Sequence, residues 1–250
     1  MAESEPSAAP RSPGFLARGE TRRSFELKFL VDPDQARRIR DWAGGRLAPD
    51  PWADPALDGA YLVHTLYLDT AALDVFHGSE SFRRRKFRVR RYGAETSVQL
   101  EQKTRSGDRV AKRRTPVEAS DFAALGGGLA ARASDAIWFQ HRVRTRGLAP
   151  VVRISYLRHA FIAAGTDGPL RLTIDDRIEA AGEDHWSVEP VRAGTPVLPD
   201  RRVLELKFRR EMPLLFKDLI ATFGLAPASL SKYRNAVRCL RSDRGSAGEA

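Results

Sequence analysis

The segment Val203-Leu204-Glu205-Leu206-Lys207-Phe208 puts Leu204, Leu206 and Phe208 on one side of an extended strand and Val203, Glu205 and Lys207 on the other. One side suits a core and the other carries charge. The arrangement recurs. Phe25, Leu27 and Phe29 alternate with Glu26 and Lys28, and Phe87 and Val89 with Lys86, Arg88 and Arg90. Val98 and Leu100 alternate with Gln99, Glu101 and Lys103, and Leu170, Leu172 and Ile174 with Arg171, Thr173 and Asp175. For any one strand, an antiparallel sheet with one solvated face explains the pattern. Five strands whose polar faces carry mainly Arg and Lys want a shared explanation, because pooled cations repel unless a polyanion and a metal compensate them. A closed barrel with a polar lumen, its outer face covered by helices, pools them in that way.

The excess charge is local. The chain has 250 residues, a net charge of +10 and a pI near 10.2. Residues 81–115 hold thirteen Lys or Arg against Glu95, Glu101 and Asp108, a surplus equal to that of the whole chain. An anionic partner follows. A nucleic-acid binder is disfavoured, because Phe87 and Val89 sit on the apolar face instead of presenting rings among the cations. Cys239 is the only cysteine, which excludes a disulfide framework and a cysteine zinc site. No apolar run has the length of a membrane span and the N-terminus lacks a signal-peptide pattern, so the expectation is a cytoplasmic protein with no membrane segment.

In order, residues 1–18 read as a disordered tail, and a strand is expected at 22–31. Asp32-Pro33 opens a helix running to about Trp42. A loop at 49–59 leads to a strand at 61–69, and Asp69 or Thr70 caps a short helix containing Leu73 and Phe76. The basic strand, a strand at 97–104 and another at 109–117 form a meander. Helical patterning over 120–146 is divided at Gly126 to Gly128. Strands return at 151–162, 170–175, 186–190 and 202–209. Two helices, 213–223 and 229–240, precede a polar tail from Ser242. The result is an α+β protein: an antiparallel barrel of about eight strands with a polar, basic lumen, occupying residues 19–241 between disordered tails at 1–18 and 242–250. No glycine-rich phosphate loop is present, so side chains must do any phosphate binding.

The ordered motifs F-E-L-K-F, T-L-Y-L-D, K-F-R-V-R-R-Y-G, L-E-Q-K-T, V-A-K-R-R, V-R-I-S-Y-L-R-H-A-F, L-R-L-T-I-D, V-L-E-L-K-F and S-K-Y resemble the VTC domain of polyphosphate polymerases, within the triphosphate tunnel metalloenzyme, or CYTH-like, superfamily. The resemblance implies a tunnel whose cations hold a phosphate chain, acidic residues that hold a divalent metal, manganese or magnesium, and transfer of the ATP γ-phosphate onto inorganic polyphosphate with release of ADP. Carried over by motif, the phosphate-binding set is Lys28, Arg88, Arg90, Lys103, Lys112, Arg153, Arg171, Lys207 and Lys232. Lys28, Arg88, Arg90, Lys103 and Glu205 form the catalytic set. Glu205 is the matched metal carboxylate, and Glu26 is either a second ligand or the group that orients Lys28. The hydrolase branch carries E-x-E-x-K on its first strand, whereas this chain has Ser24, Glu26 and Lys28, which suits the polymerase branch. Triphosphate or nucleoside triphosphate hydrolysis in the same tunnel, and a non-catalytic polyphosphate sensor, stand as alternatives. An accessory or membrane partner is left open.

Each site has a plainer reading. Glu205 could be the ion-pair partner of Lys207, Glu101 could balance neighbouring arginines, and Asp175 could cap a turn or face the lumen. Arg83, Arg84 and Arg85, like Arg113 and Arg114, form a solvated run or draw substrate to the tunnel mouth. Lys232 is an exposed helix lysine or a phosphate ligand near a helix start. The histidines have no metal spacing. Tyr67 and Tyr156 read as packing residues.

Overall fold

The computed structural model describes residues 19–107, 109–126 and 134–246. Its strands are β1 (Gly19–Val31), β2 (Ala48–Pro49), β3 (Ala60–Asp69), β4 (Arg85–Tyr92), β5 (Ser97–Ser106), β6 (Arg109–Glu118), β7 (Ala149–Ala163), β8 (Leu170–Gly182), β9 (Thr195–Pro196) and β10 (Arg202–Phe208). Neighbours run in the order β7, β3, β4, β5, β6, β1, β10, β8, all antiparallel, and β8 pairs back onto β7. Eight strands therefore close into a barrel with no free edge among them. The two-residue strands β2 and β9 attach to β7 and β8.

The apolar side of each alternating strand turns outward. Phe29, Leu204, Leu206, Leu172 and Ile174 form one core with Ile39 and Ala43 of α1 (Pro33–Gly44) and Phe216 and Leu219 of α5 (Leu214–Thr222). Leu66, Leu68, Phe87, Val89 and Leu100 form another, with Val75 of α2 (Asp74–His77), Phe122 of α3 (Ala119–Gly126) and Phe139 of α4 (Ile137–Thr145). Two apolar layers thus flank the polar interior. Asp32 starts α1, its carboxylate accepting from Gln35 N at 2.7 Å, with Pro33 at the first helical position.

The last helix, α6 (Lys232–Ser246), plugs one end of the barrel. Tyr233, Ala236 and Val237 share a cluster with Val152, Ile154, Ile178 and Ala180, which are inward positions of β7 and β8. Tyr233 stacks on Tyr67 with ring centroids 5.2 Å apart and donates to the buried Asp69. Asp69 also accepts from the Val75 and Phe76 amides and so holds α2 as well.

Several expected boundaries shift. β1 begins at Gly19 instead of Arg22. β8 continues past Asp175 to Gly182, because a register slip against β7 at residues 155–157, with Arg177 at φ 48, resets the alternation. Residues 186–190 are not a strand: Ser187 Oγ accepts from Glu189 N in a turn, while Trp186 packs edge-on against Phe122. α6 runs through residues 241–246, since a formed helix propagates through polar residues at little cost. The expected helix break reaches Gly127 and Gly128, and they, with the proposed tail at 1–18, lie outside the described residues.

Phe216 is fully buried between α5 and the barrel. Phe216→Ala is expected to lower unfolding stability by about 3–5 kcal/mol in denaturant titration. Asp32→Ala, removing only the α1 cap, is expected to cost about 1 kcal/mol.

Candidate active site

Because paired strand positions share a face, the polar alternates converge inside. β1 contributes Glu26 and Lys28, β4 Lys86, Arg88 and Arg90, and β5 Glu101 and Lys103. β6 contributes Lys112 and Arg114, and β10 Glu205 and Lys207. The inner cavity is lined by Lys28, Lys86, Arg88, Arg90, Lys103, Lys112, Arg158, Glu205 and Lys232, with Tyr67 and Tyr156 among the walls. Lys28, Lys86, Lys103 and Ser231 also line a wider outer cavity of about 730 Å³ and so form the neck between the two.

Carboxylates hold most of these cations apart by pairing across strands. Glu101 is fully buried and accepts from Arg88 Nε at 2.6 Å and Arg114 Nε at 2.7 Å. The two guanidinium groups outweigh the burial that would raise its pKa and keep Glu101 ionised. Asp175 accepts from Arg158 at 2.6 and 2.8 Å and pairs with Lys232 at 2.5 Å, which holds it below the usual carboxylate range against its desolvation. Glu26 takes both Lys28 and Lys103 on one oxygen. Burial pushes Glu26 up, but Lys103 and Lys28, with Lys112 and Lys207, bring it well below the ordinary value.

Glu205 lies 3.5 Å from Lys28 Nζ. Burial and the Glu26 charge raise its pKa, and Lys28, Lys103 and Lys112 overcome both, leaving it at about 2. Two ionised carboxylates on adjacent strands thus face the lumen. Glu26 Oε2 is buried with no hydrogen-bond partner, and so is Thr173 Oγ1, on the residue that pairs with Glu205. Hard oxygen donors of this kind fit a magnesium or manganese ion that also takes phosphate oxygens.

The cations are not fully compensated. Arg90 is buried and its hydrogen-bond partners are the hydroxyls of Thr65, at 3.1 Å, and Tyr92, at 3.4 Å. Lys86 donates to Ser231 Oγ at 2.7 Å. Neither reaches a carboxylate within ion-pair distance among the described residues. Burial, then Lys103 and Lys28, push Lys86 well below the normal lysine value. Burial and Lys207 do the same to Lys112, and burial lowers Lys103 to about 8.

Most of the residues singled out in the sequence line these cavities; Arg153, Arg171 and Lys207 do not. Arg153 is on the outer face of β7, in an ion pair with Glu183 at 2.8 Å and a hydrogen bond to the Glu189 carbonyl. Arg171 lines neither cavity; it is held by Asp50 at 2.8 Å and Tyr61 at 2.7 Å. β7 instead presents Arg158, which the sequence reading did not single out. Arg153 came from the motif carry-over alone; alternation marks no charged inner face here, because the inward residues Val152 and Ile154 are apolar, being covered by α6. Arg114 is likewise an interior residue and not part of a solvated run, whereas Arg113 lies over the Trp138 ring on the outside. Asp175 is a lumen carboxylate, not a turn cap. Lys207 lies opposite Glu26 in the β1–β10 register. The oxygens and nitrogen of Glu183, Asp184 and His185 lie within 4.8 Å of one another, but this group is at the outer end of β8, largely exposed, with Glu183 taken by Arg153.

Fold and site define a class: a closed antiparallel barrel whose interior is a charged tunnel instead of a packed core. The chain belongs to the VTC domain family, whose model matches residues 23–241. Among solved structures it is similar to a candidate adenylate cyclase from Bacillus halodurans, with 13% identity and a TM-score of 0.55 over 85% of this chain and 95% of that one. It is also similar to a candidate adenylyl cyclase from Hippeastrum with a dominant triphosphatase activity, with 15% identity and a TM-score of 0.48 over 85% and 93%. At these identities the likeness concerns the fold alone. No curated protein matches the sequence. Among the described residues, no helix is long and apolar enough to cross a membrane.

An anion in the lumen would favour the charged forms of Lys86, Lys103 and Lys112, whose pKa values burial and neighbouring cations lower, Lys103 to about 8. Binding therefore takes up protons, and affinity for tripolyphosphate is expected to fall as pH rises above about 8, the value of the free Lys103. Calorimetry in two buffers of different ionisation enthalpy should show the uptake, and Lys103→Met should reduce it. Glu101→Gln, which strands Arg88 and Arg114, is expected to cost about 3–5 kcal/mol of stability in denaturant titration.

Proposed function

We propose that this protein is an ATP-dependent polyphosphate polymerase that transfers the γ-phosphate of ATP to a growing inorganic polyphosphate chain. The observation that carries this reading is the buried Arg90 guanidinium, which meets only hydroxyl oxygens, with the half-buried Lys86 on the same face of β4 also meeting only a hydroxyl, in a lumen already rich in Arg and Lys. A buried charge without a counter-charge is costly, and a chain of phosphates supplies the missing negative charge along the tunnel. Membership of the VTC domain family and Ser24 in place of the hydrolase branch's first glutamate support the same choice.

Phosphoryl transfer asks for positioning and charge neutralisation, so no protein nucleophile is needed. A terminal oxygen of the acceptor chain attacks the γ-phosphorus, the bond from that phosphorus to the β–γ bridging oxygen breaks, and ADP leaves with the electron pair. Arg88, Arg90, Lys28 and Lys103 grip the phosphate oxygens and offset charge as it shifts toward the leaving group, while Lys112, Arg158 and Lys232 hold phosphates further along. Glu26 and Glu205 would hold a magnesium or manganese ion, which supplies additional charge neutralisation at the transferring phosphate when bound.

Purified protein incubated with γ-labelled ATP and manganese or magnesium should yield a ladder of phosphate chains together with ADP. Free phosphate without chains would indicate a hydrolase, and intact ATP with retained polyphosphate binding would indicate a sensor. Arg90→Ala and Glu205→Gln are each expected to lower kcat/KM on the order of 100-fold or more. Glu205→Gln should act mainly on metal-dependent turnover and Arg90→Ala also on binding.

A further inference from the structure

Outside the neck lies a surface that the lumen chemistry does not require. The walls of the outer cavity include Arg83 and Arg84, from the turn before β4, Arg85, the first residue of β4, and Arg234 and Arg238 of α6; Glu26, deep at the neck, is its single carboxylate. None of the five guanidinium groups reaches a carboxylate within ion-pair distance among the described residues. A merely solvated charge run would spread to reduce repulsion, whereas these groups come from two elements distant in sequence and face one opening.

The backbone adds an independent observation. Arg84 has φ 66, in the left-handed region that favours glycine, although it is an arginine. Its carbonyl accepts from Arg105 N at 2.9 Å, so the turn is anchored to β5. Several other non-glycine residues of this chain share this conformation, but Arg84 is the one whose strained position puts a guanidinium on the cavity wall. Opposite, Gly78, itself at φ 75, leaves room for Arg234: a β-carbon there would sit 2.8 Å from the guanidinium.

We propose that this mouth is a second subsite, built on Arg83, Arg84, Arg85, Arg234 and Arg238, that grips the part of a linear inorganic polyphosphate extending beyond the phosphates in the lumen. Affinity then increases with chain length, and a long chain stays engaged between additions. The proposal rests on the reading that the lumen holds phosphate.

The test uses the full chain as wild type, Arg84→Gly, the double variant Arg85→Ala/Arg238→Ala, and Arg90→Ala, each titrated with sodium tripolyphosphate and with long-chain polyphosphate. Arg84→Gly removes the strain together with the charge, so its Tm should hold or rise while long-chain affinity falls. The double variant should lose about tenfold in long-chain affinity and show a shallower salt dependence, because fewer phosphates are neutralised. Both mouth variants should change tripolyphosphate affinity less than about twofold, whereas Arg90→Ala should weaken both ligands. Mouth variants that weaken both ligands equally, or neither, would overturn the second subsite and leave the lumen reading intact. Unchanged binding of both ligands by Arg90→Ala would overturn the lumen reading and this proposal with it.

Discussion

Burying a cation costs several kcal/mol unless a counter-charge and hydrogen bonds meet it, and this barrel brings most of its interior cations to bear on a few carboxylates. Each carboxylate ties elements together: Glu101, on β5, joins β4 to β6, Glu26 joins β1 to β5, and Asp175 joins β7 and β8 to the start of α6. The acids therefore fix the directions in which the cations point. What remains uncompensated is concentrated at Arg90 and Lys86, and phosphate is the natural complement to that remainder.

How much of this could be read in the sequence depended on what covers each strand. On β1, β4, β5 and β10 one face meets apolar helices and the other meets only charge, so the period-two pattern identified Lys28, Arg88, Lys103 and Glu205 as neighbours. On β7 the inner face is itself apolar where α6 enters, so alternation offered no charged face to read there; the family motif supplied Arg153, which lies outside, and Arg158 was overlooked. No local signal marks that change, because the covering helix lies some eighty residues further along the chain. The pairing of Arg114 with Lys112 was available in principle, since the two are separated by one residue on a strand, but the intervening Arg113 made the run look solvated.

The helix that confuses the reading also completes the site. Tyr233 fixes α6 through Asp69 and Tyr67, which places Lys232 against Asp175 and Ser231 against Lys86. Asp69 accepts from α2 at the same time, so the plug and the neighbouring rim are set by one buried carboxylate. The lumen wall and its closure are therefore not separable parts of the molecule.

The order in which the strands close the barrel has a consequence for how the chain reaches this state. β1, the first strand made, lies between β6 and β10, and the β1–β10 register pairs Phe25 with Phe208 and Val31 with Arg202. Until β10 has emerged, β1 has only one neighbour and the cations on β1, β4 and β5 face an open trough. Such distant pairing slows folding and leaves an unpaired strand edge exposed in the meantime. Biosynthesis therefore confronts this protein with an interval in which its most basic surface is accessible to any polyanion in the cell, and a bound chain could be enclosed as the last strand zips into place.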